Sequence, residues 1–101
     1  MNILFLEIAE QEFYDSQDYY EEQQTNLGEK FKKEIFNTLK RIQRFPNMYA
    51  EIRKDIRKCV VNKFPFNLLY SVEENHILII AIAHHHRKPD YWVERISSVT
   101  R

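Results

Sequence analysis

The apolar positions in the first half of the chain follow one strand pattern and then two helical ones. Residues 2–7, "NILFLE", form a short apolar run that predicts a first strand. A first amphipathic helix is predicted from small or apolar residues at helical spacing, with Asp and Glu between them: Ala9, Phe13, Ser16, Tyr20 and Leu27. A second helix is predicted from a stripe that Pro46 ends: Phe31, Ile35, Leu39 and Ile42. Gly28, the only glycine, is expected to form a left-handed cap or a tight corner between them.

The second half of the chain predicts three strands and a short terminal helix. The strands are "RKCVVNKF" (57–64), "FNLLYSV" (66–72) and "HILIIAIAH" (76–84), separated by Pro65 and the turn "EEN". The last run is apolar on both parities, which is typical of a central strand buried on two faces. Asp90, after Pro89, is expected to be the N-cap of the terminal helix. The pattern predicts an α+β fold of order β-α-α-β-β-β(-α), with the helical hairpin on one sheet face.

Length and composition indicate a single domain over residues 1–101 with enough apolar material for one core. Apolar residues make up 44% of the chain and aromatic residues 14%. The lone cysteine, Cys59, excludes an intrachain disulfide and fits a reducing compartment. The first residues lack a basic segment, and no apolar run approaches the roughly 20 residues of a membrane span. We therefore expect a cytoplasmic protein without membrane contact.

Charge is unevenly distributed although the net charge is zero. Residues 1–29 carry eight acidic side chains and no Lys or Arg, whereas residues 30–67 carry eleven basic and three acidic ones. A dipolar surface of this kind suits an anionic or acidic partner on one side. The same distribution also fits two solvated faces of opposite charge.

No motif for a metal, a phosphate loop or a nucleophile stands out. His84 and His86 have a spacing that suits two zinc ligands, but a structural site needs two more. Cys59 is expected to be a small half-buried thiol rather than a nucleophile. A glycine-rich phosphate loop is excluded by the single glycine. We expect neither a metal nor a cofactor.

Basic residues beside aromatic ones are the more informative feature. Residues 53–63 contain a cluster of cations that Phe64 and Phe66 follow: Arg53, Lys54, Arg57, Lys58 and Lys63. Arg87 and Lys88 join them if the strands are neighbours. Clustered cations with aromatic residues suit an RNA backbone with unstacked bases, and they suit an acidic protein segment equally well.

The order of these motifs resembles the ParE/RelE superfamily of bacterial type II toxins, in particular its ParE-like, plasmid stabilisation branch. The resemblance rests on an Arg before the second strand, a Phe-Pro-Phe step, a following Tyr, and a closing His-x-x-Arg-x-Pro signature. In this chain these motifs are Arg57, Phe64-Pro65-Phe66, Tyr70, and His84, Arg87 and Pro89, with Trp92 after them. Ala9, Tyr20 and Gly28 also fit the helical hairpin of that family.

The resemblance implies a small, mainly antiparallel sheet and a growth-inhibiting toxin that a cognate antitoxin neutralises. Antitoxins of this superfamily wrap an acidic amphipathic segment over the toxin, and operator DNA is contacted only through the antitoxin. ParE-like members poison DNA gyrase, and RelE-like members cut messenger RNA on the ribosome without a metal. The expected function is gyrase poisoning by a protein that is not itself an enzyme. The alternatives are a ribosome-dependent endoribonuclease and an inactive relative that only binds its antitoxin.

Two sets of residues follow from these alternatives. Target or antitoxin binding is expected of residues in the motifs: Arg57, Phe64, Phe66, Tyr70, His84, Arg87, Tyr91 and Trp92. Under the nuclease alternative, cations, a proton donor and a stacking ring would come from Arg57, Lys63, His84, Arg87 and Tyr91. The late tyrosine of RelE-like nucleases, after the last strand, has no clear counterpart beyond Tyr91.

Overall fold

Two helices pack on one face of a five-stranded sheet in the structure, a computed structural model that describes residues 1–98. The helices are α1 (Glu7–Gln23) and α2 (Leu27–Arg44), and a short 3₁₀ helix spans Val93–Ser98. The strands are β1 (Asn2–Phe5), β2 (Glu51–Arg53), β3 (Ile56–Val60), β4 (Phe66–Val72) and β5 (His76–His84). Their order in the sheet is β1-β5-β4-β3-β2, with β1 parallel to β5 and all other pairs antiparallel. The predicted α+β fold is confirmed.

The sheet buries both of its faces, each against a different part of the chain. The face toward the helices carries Leu68, Tyr70 and Ile79, which pack with Phe31 and Ile35 of α2. The opposite face is covered by the terminal segment, and its core comprises Ile56, Leu69, Leu78, Ile80, Ala81, Ala83 and Trp92. β5 therefore has no polar face, as its sequence predicted.

An irregularity in the β4–β5 pairing places two adjacent residues of β5 on the same face of the sheet. Leu69 pairs with Ala81 while Tyr70 pairs with Ile79, so that Ile80 is left as an extra residue. Ile80 and Ala81 consequently contribute to the same core, on the face away from the helices. The alternation of faces resumes on either side of this bulge.

Of the two expectations for Gly28, the left-handed cap is wrong, whereas the tight corner between the helices agrees with the structure. The left-handed residue of the corner is Asn26, with φ 73°, and Gly28 lies within the first turn of α2. A Cβ at Gly28 would approach the Gln17 carbonyl oxygen to 2.8 Å. The backbone N–H of Gly28 also donates to Glu21 Oε1 at 3.0 Å. Gly28 is therefore required because α1 and α2 approach each other closely there.

Three further predictions are corrected by the structure. The strand expected over 57–64 ends at Val60, because Lys63 takes a left-handed conformation, with φ 69°. The exposed three-residue strand β2 was not predicted, since its alternation is too short to detect. Asp90 is not an N-cap, because the 3₁₀ helix begins at Val93 and Asp90 itself is left-handed, with φ 64°. Within residues 1–98, neither helix has the combined length and apolarity that crossing a membrane requires.

Candidate functional site

The end of β5 and the turn that follows it lie between two surface grooves. The first, of about 350 Å³, separates α1 from the sheet, and we call it the aromatic groove; it is lined by Glu12, Asp15, Ser16, Tyr19, Tyr20, Phe66, Ile82, His84 and Arg87. The second, of about 220 Å³, lies on the other side of the turn, and we call it the basic groove; its polar lining consists of Lys58, Asn67, His84, His85, Arg87, Lys88 and Asp90. His84 and Arg87 line both grooves, so they form the ridge between them.

The aromatic groove exists because β1 is too short to cover the whole outer edge of β5. β1 pairs only with residues 76–79, which leaves the second half of β5 without a strand neighbour on that side in the described chain. Side chains occupy part of this edge instead. Glu12 Oε1 accepts a hydrogen bond from the Ile82 N–H at 3.0 Å, and Arg95 Nη1 donates to the Ile80 carbonyl at 3.0 Å. Buried backbone polar groups are thereby satisfied where the sheet ends.

Glu12 also fixes the terminal segment against α1. Its carboxylate accepts from the Tyr91 hydroxyl at 2.6 Å and from both terminal nitrogens of Arg95 at 2.8 Å. Burial and the hydrogen bond to Glu12 raise the pKa of Tyr91, and the bond to Glu12 raises the pKa of Arg95. Beside them Trp92 is buried in the core of the outer sheet face. The turn after β5 is thus anchored at its far end, as expected for aromatic residues that fold back onto the sheet.

His84 and Arg87 are the predicted site residues that the structure places at the ridge. The His84 ring contacts the edge of Phe66, with centroids 5.0 Å apart, and its Nδ1 accepts from the His86 backbone N–H at 3.0 Å. Burial, with smaller contributions from His86 and His85, lowers the pKa of His84 and favours the neutral ring. The Arg87 guanidinium lies over the Tyr91 ring at 3.9 Å from its centroid. The described residues contain no group of three or more His, Cys, Asp or Glu side chains arranged to hold a metal ion.

Arg57 and Tyr70 lie elsewhere and hold the loop between α2 and β2. Arg57 Nη1 donates to the carbonyl oxygens of Asn47 at 3.2 Å and Tyr49 at 2.7 Å. The Tyr70 hydroxyl donates to the Pro46 carbonyl at 2.6 Å, and burial raises the pKa of Tyr70 to about 12. Both side chains are therefore engaged by the protein's own backbone.

The remaining predicted residues belong to the helical face of the molecule. Phe64 and Phe66 pack against Phe31 and Tyr20 in an aromatic cluster. Lys63 extends toward α2, where its Nζ lies 3.5 Å from Glu34 Oε2. Of the five residues that the nuclease alternative requires, the structure therefore joins only His84, Arg87 and Tyr91.

Cys59 is fully buried rather than half-buried, with only 1% of its surface exposed. Its pKa is raised by burial, and the hydrogen-bonding contact with Arg41, at 4.0 Å, opposes that effect. Solvent does not reach this thiol, which fills a position in the core.

Two features of the site were missed by sequence reasoning. Glu12 looks like every other acidic residue of α1, because only its contacts with β5 and the terminal segment distinguish it. Lys58 is different: adjacent residues of a strand face opposite sides, so Arg57 and Lys58 had to lie on different faces. Because of that alternation, Lys58 lines the basic groove, whereas Arg57 holds the loop between α2 and β2.

Comparisons with known proteins give one match to a family model and one match in fold. The family model described as the ParE toxin of the type II toxin-antitoxin system, parDE, matches residues 3–89. Among solved structures, one described as the chromosomal ParDE TA system from P. aeruginosa has a similar fold, with a TM-score of 0.67 and 21% sequence identity. The match covers 83% of this chain and 95% of that one. A search of curated proteins gave no match.

Proposed function

The chain belongs to the ParE toxin family of type II toxin–antitoxin systems, and we propose that it acts as a single-domain toxin that inhibits growth by binding DNA gyrase. In this proposal the toxin traps gyrase on cleaved DNA in the cytoplasm, and a cognate antitoxin neutralises it. The family match over residues 3–89 is the observation that carries the proposal.

The arrangement of the side chains supports binding rather than RNA cleavage. A metal-independent nuclease needs cations and a proton donor that converge on one phosphate. Here Arg57 is bound to carbonyls of the loop before β2, Lys63 lies beside Glu34, and the Tyr91 hydroxyl donates to Glu12. Only His84 and Arg87 remain at the ridge, which is sufficient for an interface but not for that chemistry.

The aromatic groove has the chemistry of a peptide-binding surface, which suits the antitoxin. Tyr19 is 57% exposed, and the partly exposed Tyr20 provides further apolar area beside the partly covered edge of β5. An amphipathic segment gains affinity from a strand edge through its main chain and from apolar pockets through its side chains. In this proposal the antitoxin docks in the aromatic groove, and operator DNA is contacted only through the antitoxin.

Titration of the antitoxin-free chain into a gyrase supercoiling reaction tests the proposal. We expect linear, cleaved DNA to accumulate, and the cognate antitoxin to suppress it. Arg87→Ala should require about tenfold more protein for the same cleavage, because exposed Arg residues often carry much of an interface's affinity. Lys33→Ala, on the exposed surface of α2, is the matched control and should behave as the unmodified chain does.

Unchanged supercoiling with no cleaved DNA would contradict the gyrase proposal. Cuts in messenger RNA during translation would then identify a ribosome-dependent nuclease. A chain that causes no growth defect when it is expressed without antitoxin would instead be an inactive relative.

A further inference from the structure

The basic groove contains cations that the rest of the protein does not neutralise. The side-chain ammonium groups of Lys58 and Lys88 have no ion-pair or hydrogen-bond partner among residues 1–98. The Arg87 guanidinium is stacked on Tyr91 and makes no hydrogen bond within the same part of the chain. Three cations elsewhere in the described chain are engaged instead: Lys63 with Glu34, Arg95 with Glu12, and Arg57 with backbone carbonyls.

The backbone that carries these cations is held in place before any partner binds. Lys58 projects from β3, which pairs with β4 through Lys58 and Leu69. The turn that carries Arg87 and Lys88 is tied by the hydrogen bond from the Arg87 N–H to the His84 carbonyl, at 3.0 Å. The Tyr91 N–H also donates to the Lys88 carbonyl at 3.2 Å, and Tyr91 is itself anchored on Glu12. The cost of ordering the backbone on binding is correspondingly small, and the two lysine side chains are what binding must order.

The chemistry of the groove fits a phosphate backbone. A guanidinium stacked on an aromatic ring keeps its edge N–H groups free, and those groups match two phosphate oxygens at once. Lysine ammonium groups on either side supply further charge, and the Asn67 amide is a neutral hydrogen-bonding group of the kind that contacts phosphates. Among residues 1–98, Asp90 is the only carboxylate that lines the groove.

We propose that the basic groove binds the sugar–phosphate backbone of DNA, so that the toxin contacts the DNA held by its target as well as the protein. This inference rests on the proposed function, in which the toxin acts on gyrase bound to cleaved DNA. An acidic peptide fits the groove less well, since an amphipathic segment needs exposed apolar anchors. Leu69, Ala83 and Trp92, which line the groove, are buried, and among its described apolar residues only Ile52 and Pro89 are exposed.

Salt-dependent binding to a short labelled DNA duplex, followed by fluorescence anisotropy, tests the inference without gyrase. Three cations neutralising three phosphates give a slope of log K against log salt of about −2.7. Affinity should therefore fall about 40-fold between about 50 and 200 mM salt. The variant Lys58→Gln/Lys88→Gln should bind more weakly and retain a slope of about −1. Lys33→Gln/Lys40→Gln, two exposed lysines of α2, is the matched control and should bind as the unmodified chain does.

Three results would overturn the inference. The first is no duplex binding by a chain that still poisons gyrase, which would leave the proposed function intact. The second is equal loss of binding in the groove variant and the α2 control. The third is tight binding of polyglutamate. If polyglutamate bound as tightly as the duplex, and Lys58→Gln/Lys88→Gln weakened the binding of both equally, the groove would be a site for an acidic peptide.

Discussion

Glu12 is a single carboxylate that accepts hydrogen bonds from three separate parts of the chain. Its partners are the Ile82 N–H in β5, the Tyr91 hydroxyl and the Arg95 guanidinium, all within 3.0 Å. Its side chain is 14% exposed and that of Arg95 is 11% exposed, so water screens the pair only weakly. Removal of one partner from such a pair leaves the other charge buried and uncompensated.

Glu12→Gln is therefore expected to lower the free energy of unfolding by about 3 kcal/mol. The neutral amide retains one acceptor oxygen, but an N–H donor turned toward Arg95 finds no acceptor there, because a guanidinium only donates. Urea denaturation measures the change, and Glu10→Gln, on the exposed surface of the same helix, should shift stability by less than about 0.5 kcal/mol. Equal stabilities of the two variants would show that the pair contributes nothing beyond a surface ion pair.

At the scale of elements, the loop between α2 and β2 depends on side chains that the sequence assigned to a binding site. Arg57 and Tyr70 donate to three carbonyls of that loop, those of Asn47, Tyr49 and Pro46. Arg57→Ala is expected to reduce the free energy of unfolding by about 1–3 kcal/mol, because two charge-assisted hydrogen bonds to carbonyls of the loop are lost. Arg87→Ala removes an exposed side chain and should change stability by less than about 0.5 kcal/mol.

Thermal or urea denaturation of both variants separates the two arginines. If Arg57→Ala were as stable as Arg87→Ala, the loop contacts would not matter to the fold, and a direct role for Arg57 in binding would regain support. Loss of toxicity in Arg57→Ala is informative only beside that stability measurement, since an unfolded toxin is also inactive.

The elements that could be predicted from the sequence are those with long, regular patterns. β4 and β5 have the predicted bounds, 66–72 and 76–84, because each is a mainly apolar run between turn residues. The α2 stripe of Phe31 and Ile35 likewise leads to a helix that ends at Arg44, before Pro46. β2 has three exposed residues and forms only because β3 offers it an edge. No local pattern encodes such a strand.

The candidate site was less predictable, because a residue type does not reveal what its side chain will meet. The closing signature correctly indicated His84 and Arg87 at an exposed turn, since a strand that ends in basic residues and a proline must leave the sheet there. Arg57 has the same chemistry as Arg87, yet it lies beside carbonyls of a loop that comes from ten residues earlier in the chain. Contacts of this kind depend on tertiary packing.

For the molecule as a whole, the raised pKa values of three tyrosines and one cysteine predict a loss of stability in alkali. Each of these groups becomes an anion when it loses its proton. Burial raises the pKa of Tyr70 to about 12, and burial also raises the pKa of Tyr20, Tyr91 and Cys59. Each group is held protonated in the folded state and loses its proton more readily in the unfolded chain. Their contribution to stability is thus complete below pH 9, the ordinary pKa of the thiol, and is lost as the pH rises toward 12.

The variant Tyr70→Phe removes the contribution of Tyr70, and the raised pKa of about 12 defines the pH window in which that contribution is lost. The contribution of Tyr70 should disappear between pH 10 and about 12, and it amounts to about 2–3 kcal/mol for a shift of two units in a fully buried side chain. Urea denaturation across that range should therefore give a shallower fall for Tyr70→Phe than for the unmodified chain, even though the variant starts less stable without its bond to Pro46. Tyr14→Phe, at a ring that is 50% exposed, should follow the unmodified chain at every pH. Parallel curves for Tyr70→Phe and the unmodified chain would mean that Tyr70 ionises as easily inside the fold as outside it, and alkaline sensitivity would then have to come from Tyr91, Tyr20 and Cys59.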